Sequence, residues 1–410
     1  MVWDGVQWLA DRADLARELA QATVTECLRQ ANCTGHKDTS KSMATFQNTG
    51  RITNLLREAQ PHLTIHPDQL DTAKHLLNFR NGTLNLRTLE LRPHSPADFI
   101  TKSVKHEFRL DAECPRFLQF LAEILPGLER HMQTAIGYSL TGETIQKAVF
   151  VCHGTGNNGK TTLLSTVREL LGDDYAILIQ MESLVAKQEN NNSQSDLADL
   201  RGARFVMTSE TEQNRLLAES RLKRITQGMG KIKAIRKYEN PIQFYETHKL
   251  WIDGNHKPVV RGTDNAIWNR LHLVPFNCNL SDEEIDKELP HKLIEEAEGI
   301  LAWAALGAMR WYLQGLDRPE AVETARAQWR SDSDIIRNFL DQRCHFVPNY
   351  EAPAHALFLN YIEWAEAARD PNLMDEQAFK EAMQEKCEQH RTKNGMFYRN
   401  ICLNSKPRQD

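Results

Sequence analysis

The chain has 410 residues, 41% of them hydrophobic, and a formal net charge of −5. That length supports more than one core and suggests two or three domains, while so small a net charge argues neither for nor against a nucleic-acid partner. Eight cysteines without a CxxC pair give no disulfide or zinc-ribbon framework, and Cys27, Cys33 and His36, or Cys387 and His390, lack the second half that a metal site needs. No run of eighteen apolar residues and no basic-then-apolar N-terminus occurs, so neither a membrane span nor a secretion signal is expected, and a reducing, cytosolic compartment fits.

In chain order, residues 1–120 mix helical spacing over Val6 to Leu28 with a strand-and-turn region around Leu84 to Arg87, where Asn81-Gly82 reads as a hairpin turn. Residues 121–318 carry short apolar runs at Ala148 to Cys152, Ala176 to Ile179, Arg204 to Met207 and Leu250 to Ile252. Separated by helical segments, such runs describe a parallel sheet covered on both faces. Gly315 to Pro319 reads as a linker, and residues 319–410 as a third unit with helices over 354–367 and 375–390 and a basic end.

The most informative segment is Gly154-Thr155-Gly156-Asn157-Asn158-Gly159-Lys160-Thr161, which follows an apolar run and precedes a helical one that opens at Thr162. This is a P-loop in its strand–loop–helix context. Its glycines let backbone amides turn toward a polyphosphate, Lys160 reaches the β- and γ-phosphates, and Thr161 holds Mg²⁺. ATP and Mg²⁺ are the expected cofactors.

About fifty residues on, the strand ending at Met207 runs into Thr208-Ser209-Glu210-Thr211-Glu212; a carboxylate there holds the Mg²⁺ water shell and polarises the attacking water, with Glu210 the first choice and Glu212 the second. A third strand ends in Asp253-Gly254-Asn255. Asn255 suits a sensor that holds the hydrolytic water, although Asp-Gly-Asn also reads as a simple turn. Between these strands, Arg221 to Lys249 carries eight basic residues against Glu239 and Glu246. Lys231, Lys233, Arg236, Lys237 and Tyr238 lie on a hairpin that turns at Tyr238 to Pro241, a layout suited to gripping a phosphate backbone and stacking on bases.

These motifs, with Leu-Lys-Arg-Ile-Thr-Gln-Gly at 222–228, Gly-Asn-His-Lys-Pro at 254–258 and Arg261 to Arg270, resemble the superfamily 3 helicase domain of phage and plasmid primase-helicases, relatives of the poxvirus primase-helicase. Leu77 to Thr88, Pro93-His94, Ile100 to Lys102 and Gly137 to Gly142 resemble the accessory domain preceding that motor. The resemblance implies an AAA+-like α/β P-loop core, a mostly helical accessory domain and a replicative DNA helicase working as a homo-oligomeric, typically hexameric, ring with 3′ to 5′ movement on single-stranded DNA. It further implies that Glu210 is the Walker B acid, that Lys223 and Thr226 belong to the superfamily's extra motif, and that Arg270 reaches a neighbouring subunit's γ-phosphate. A bacterial cytoplasm, with phage, prophage or plasmid DNA, is the implied setting.

The chain lacks the paired carboxylates and His of a primase, so primer synthesis is not expected of it, and it reads as a stand-alone helicase or a fragment of a longer protein. Gln227-Gly228-Met229-Gly230 departs from the family where an acidic residue is common. Residues from Trp329 to Gly395 resemble a closing winged-helix domain whose third helix and basic wing (Arg391, Lys393, Arg399, Lys406, Arg408) would add duplex origin DNA to the partners, alongside a primase or polymerase. A small-molecule P-loop enzyme, an ATP-clamped origin-binding protein and RNA unwinding are the competing readings.

Overall fold

A computed structural model describes residues 1–12, 14–181, 184–185, 195–208, 215–235, 240–262, 264–281, 283–368, 373–393 and 395–404. The chain opens with a short antiparallel pair, β1 (Val2–Trp3) and β2 (Trp8–Leu9), and three helices, α1 (Leu15–Cys33), α2 (Lys37–Thr45) and α3 (Thr49–Ala59). The helix expected from residue 6 starts later because the Asp4 carboxylate accepts the amides of Val6 and Gln7 and closes a turn there. Then comes a meander of β3 (Leu76–Phe79), β4 (Gly82–Asn85) and β5 (Glu90–Arg92). Phe79 pairs with Gly82, so the two-residue loop is Arg80–Asn81 rather than Asn81–Gly82. Helices α4 (Pro115–Ile124) and α5 (Glu129–Leu140) lead into the centre.

The central part runs β6 (Val149–His153), α6 (Lys160–Tyr175), β7 (Ala176–Ile179), α7 (Ser195–Ala198), β8 (Phe205–Thr208) and α8 (Glu219–Ile225). It continues through the hairpin β9 (Lys231–Ala234) and β10 (Ile242–Tyr245), then β11 (Lys249–Gly254), α9 (Asn265–Trp268), β12 (Leu271–Pro275), α10 (Leu289–Glu295), α11 (Ala297–Gln314) and α12 (Glu320–Ser333). Five strands form one parallel sheet in the order β12-β6-β11-β8-β7, which sets β6 and β8 on either side of β11. The four strands expected from apolar runs are present; β12 is an additional edge strand.

Alternation along the strands divides the interior in two. Phe150, Phe205 and Trp251 stack on one face, in a core shared with α5, α6 and α11 and with Leu77, Phe79 and Leu84 of the meander. Val149, Val151, Val206, Leu250 and Ile252 face the other way, against Ile232 and Phe244 of the hairpin and Trp329 of α12. The meander is therefore continuous with the central core. At the N-terminal end of the sheet, the buried Arg204 donates to the carbonyls of Leu76 and Leu140, 2.6 Å each.

The C-terminal unit comprises α13 (Ile335–Arg343), β13 (Cys344–Pro353), α14 (Ala354–Ala367), α15 (Glu376–Gln384), β14 (Gln389–Thr392) and β15 (Gly395–Leu403), with an antiparallel sheet ordered β13-β15-β14. Its core begins at Ile336, whereas Val322 and Trp329 pack into the central cores. Helix α12, which follows the boundary expected at residue 319, therefore packs with the central part. The helix expected over 375–390 stops at Gln384, because residues 389–392 pair with β15 across a hairpin. None of the described helices is long and apolar enough to cross a membrane.

Candidate nucleotide site and nucleic-acid hairpin

Strand β6 delivers residues 154–159 to the C-terminal edge of the sheet, and α6 starts at Lys160. Two glycines are sterically required. A Cβ on Gly154 would lie 2.3 Å from the Phe276 carbonyl oxygen, and Gly159 has φ 77° with Ile124 Cγ2 2.7 Å from any added Cβ. Gly156 and Asn157 also have positive φ (102° and 45°), the backbone curvature that turns amides into an anion-binding concavity.

Lys160 is 3% exposed, yet its ammonium faces neutral acceptors: Gly154 O at 2.9 Å, Asn158 Oδ1 at 2.8 Å and Asn255 Oδ1 at 3.1 Å. The sheet order explains the last contact. Strand β11 lies beside β6 with Asp253 opposite Cys152 and Gly254 opposite His153, so Asn255 emerges at the P-loop. The same register brings in Asp253, whose Oδ2 accepts the Thr161 hydroxyl at 2.6 Å. Asp253 was missed by sequence reasoning, which saw a turn; an acid one residue past an apolar run, on the strand next to the P-loop strand, was the available signal. Thr208, at the end of β8, is fully buried and its Oγ1 has no hydrogen-bond partner among the described residues. Glu210 and Glu212 lie outside the described residues, as do Arg236, Lys237 and Tyr238. Thr155 and Thr161 are exposed and Thr162 half-buried at the loop and helix start.

A curved glycine loop, a buried ammonium whose described acceptors include two asparagine side chains, and a hydroxyl paired with a carboxylate together fit a Mg²⁺-bound nucleoside triphosphate.

Arg270 is elsewhere. It precedes β12, whose first residue pairs with Val149 and last with His153, so it sits at the N-terminal end of the strands, roughly 15 Å along them from the P-loop. Its guanidinium donates to the carbonyls of Ala266 and Thr226, the latter at 3.3 Å. It lines a cavity of about 360 Å³ with Lys147, Arg318 and His272, and no carboxylate is among the described residues that line it. His272 is buried, its Nδ1 has no hydrogen-bond partner among the described residues, and burial followed by the Arg318 charge pushes its pKa down to about 3. Lys223 pairs with Asp264 at 2.5 Å and the Thr226 hydroxyl donates to Leu222 O, so neither side chain is directed at the P-loop.

Strands β9 and β10 form the expected basic hairpin, with Lys231 opposite Tyr245 and Lys233 opposite Gln243. Ile232, Ala234 and Phe244 are buried, which leaves Lys231, Lys233, Gln243 and Tyr245 on the exposed face. Below it the buried Glu246 accepts the Gly228 amide at 3.0 Å; burial pushes its pKa up to about 7 against the pull of that amide and of Lys249. Lys249 itself, counted as basic surface from sequence, is 1% exposed and donates to the carbonyls of Thr141, Glu143 and Thr247.

Fold and site thus define an α/β protein with a five-stranded parallel sheet and a P-loop at its C-terminal edge. Residues 1–126 match the family described as D5 N terminal like, and residues 152–270 match a family of unknown function, DUF5906. A protein named "Putative helicase" from Acanthamoeba polyphaga mimivirus is 24% identical over 75% of this chain, and a "Putative primase" from African swine fever virus is 27% identical over 73%. The alignments span 35% and 34% of those proteins, so this chain corresponds to about a third of their length. The C-terminal region of NrS-1 is similar at 12% identity and TM-score 0.43, covering 72% of this chain and 78% of that one. The D5 N-terminal-like match and relatives named helicase and primase are consistent with a primase-helicase family. Both named relatives come from viruses of eukaryotes, so the bacterial setting rests on the sequence resemblance alone.

Proposed function

We propose that this chain is an ATP-driven motor that moves along single-stranded DNA during replication, hydrolysing ATP between neighbouring copies in a ring, typically of six. The observation that carries the reading is the division of catalytic groups between opposite ends of one parallel sheet. Lys160, Thr161, Asp253 and Asn255 meet at the C-terminal end, while Arg270 stands at the other in a cationic cavity. An arginine so far from its own P-loop serves a phosphate held by another copy.

When bound, Mg²⁺ neutralises charge on the β- and γ-phosphates. Lys160 exchanges its neutral acceptors for phosphate oxygens, which releases Asn255 to orient water. Thr161 would ligate the metal, with Asp253 fixing its hydroxyl; Glu210, and after it Glu212, remains the proposed acid that polarises the water. The amides and side chains of residues 154–162 would enclose the polyphosphate. Lys231 and Lys233, with Arg236, Lys237 and Tyr238 beyond them, would follow the DNA backbone.

The α-β-α-α-β-β order of the C-terminal unit supports the winged-helix reading. Its third helix is unsuited to a groove: Glu376 and Glu381 are exposed on it, with Glu385 just after. Contact with duplex origin DNA would fall instead to the β14–β15 hairpin, with Arg391 on its first strand and Lys393 just after it. The missing primase or polymerase function would come from a further domain or partner.

The test is ATP turnover with and without single-stranded DNA for wild type, Lys160→Ala and Lys231→Ala with Lys233→Ala. Stimulation by DNA that the hairpin variant loses supports the motor; turnover indifferent to DNA favours the small-molecule or clamp reading, and preference for RNA redirects the substrate.

A further inference from the structure

At the root of the hairpin a cleft of about 670 Å³ opens between the N-terminal part and the centre, within the ~300–1,000 Å³ of ligand-sized clefts. Lys74, Lys102, Arg201, Met229, Phe244 and Tyr245 are among the residues that line it. Of the two carboxylates that also line it, Asp71 is committed to the Thr101 amide and hydroxyl, at 2.8 and 2.5 Å, and Asp68 lies 3.8 Å from His66. Lys102 is likewise spent, donating to the Asp174 carbonyl at 2.5 Å. The side chains of Lys74 and Arg201 have no hydrogen bond or ion pair with any described residue.

Two apolar groups are held out at the mouth. Tyr245 is 53% exposed, with the Lys231 ammonium 4.7 Å from its ring centroid. Met229 is 64% exposed and sits at φ 50°, a region that side-chain-bearing residues seldom adopt. Its amide donates to Thr144 Oγ1 at 3.0 Å, and the preceding Gly228, also left-handed, is pinned by Glu246. A strained backbone that projects a methionine into water beside an uncovered tyrosine marks a surface kept for contact.

We propose that this cleft seats unstacked bases of single-stranded DNA, with Tyr245 and Met229 as the stacking platform and Lys74 and Arg201 as phosphate contacts, so that the strand passes from the exposed hairpin face into the junction. The charge pattern selects the occupant: aromatic and thioether surface flanked by uncommitted cations matches a polyanion that carries flat apolar rings. The proposal rests on the motor reading and deepens it, since it adds contacts from the N-terminal part to those of the hairpin.

The experiment measures anisotropy of a fluorescent oligothymidylate bound to the full chain with a non-hydrolysable ATP analogue, across a salt series, with melting temperature as the folding control. Tyr245→Ala is expected to weaken binding by about 5- to 150-fold, and Tyr245→Phe to keep it. Lys74→Ala with Arg201→Ala, two surface changes that leave the core intact, lowers the slope of log affinity against log salt by about 0.7 for each lost contact. If both the tyrosine and the paired variant bind with wild-type affinity and slope while Lys231→Ala with Lys233→Ala binds weakly, the cleft is wrong and the hairpin stands. A wild type that fails to bind the oligonucleotide overturns the motor reading itself, and the cleft with it.

Discussion

Two buried lysines stand at opposite ends of the same sheet, and their surroundings assign them different work. Lys249, at the start of β11, donates to three backbone carbonyls and lies 4.7 Å from the ring centroid of Tyr138. Those acceptors belong to the framework: Lys249 fixes the segment between α5 and β6, and Arg204 adds a tie to Leu76 of the meander. Lys160, beyond the end of neighbouring β6, is about as buried, but its acceptors among the described residues include two asparagine side chains and the carbonyl at the mouth of a glycine loop. A lysine held by fixed carbonyls is structural, and one held by acceptors that can turn away is waiting for an anion.

The comparison is sharpest where the two lysines are removed. Lys160→Ala is expected to lower ATP turnover by a hundred- to about a thousandfold or more while shifting the melting temperature little, because the asparagines can hydrogen-bond water instead. Lys249→Met is expected to do the reverse, costing about 3–5 kcal/mol of stability by stranding buried carbonyls and Glu246. Matched losses of stability in both variants would erase the distinction. Asp253→Asn, which keeps the shape of the Thr161 contact but removes its charge, should raise the Mg²⁺ concentration for half-maximal turnover by about 10- to 100-fold; an unchanged Mg²⁺ titration would reduce Asp253 to a spacer.

The smallest effect is a pH dependence beside Lys249. Burial pushes the Glu246 pKa up to about 7 from its ordinary 4.5, so the folded state holds the proton more tightly. Its contribution to stability is full below about pH 4.5 and is lost as pH rises through about 7. Buried His272, with its pKa depressed to about 3, works in the opposite sense: its contribution is present above pH 6.5 and is lost as pH falls. The melting temperature of wild type minus that of Glu246→Gln isolates the first effect and should fall between pH 4.5 and 7. A flat difference would place Glu246 among ordinary ionised carboxylates.

What the sequence disclosed and what it hid follow from the range of the interactions. The P-loop was legible because phosphate binding needs glycines and a lysine at fixed local spacing, and the hairpin because alternation of Ile232, Ala234 and Phe244 with Lys231, Lys233 and Tyr245 is itself local. Asp253 was hidden because its partner Thr161 is 92 residues away and reaches it only through the order of the sheet. Charge counting erred for the same reason: Lys249 and Lys223 joined the basic run in sequence, but one is buried on carbonyls and the other is paired with Asp264. At Glu376 and Glu381, helical periodicity located α15 but said nothing about the sign of the charge it presents.

The measurement that tests the shared site most directly is ATP turnover in mixtures of Lys160→Ala and Arg270→Ala chains. Each alone is expected to be inactive, the second by about a thousandfold or more. Mixing them should restore turnover, since an intact P-loop of one chain then meets an intact Arg270 of another. Full turnover by Arg270→Ala alone, or no recovery in mixtures that demonstrably co-assemble, would contradict a site built between copies.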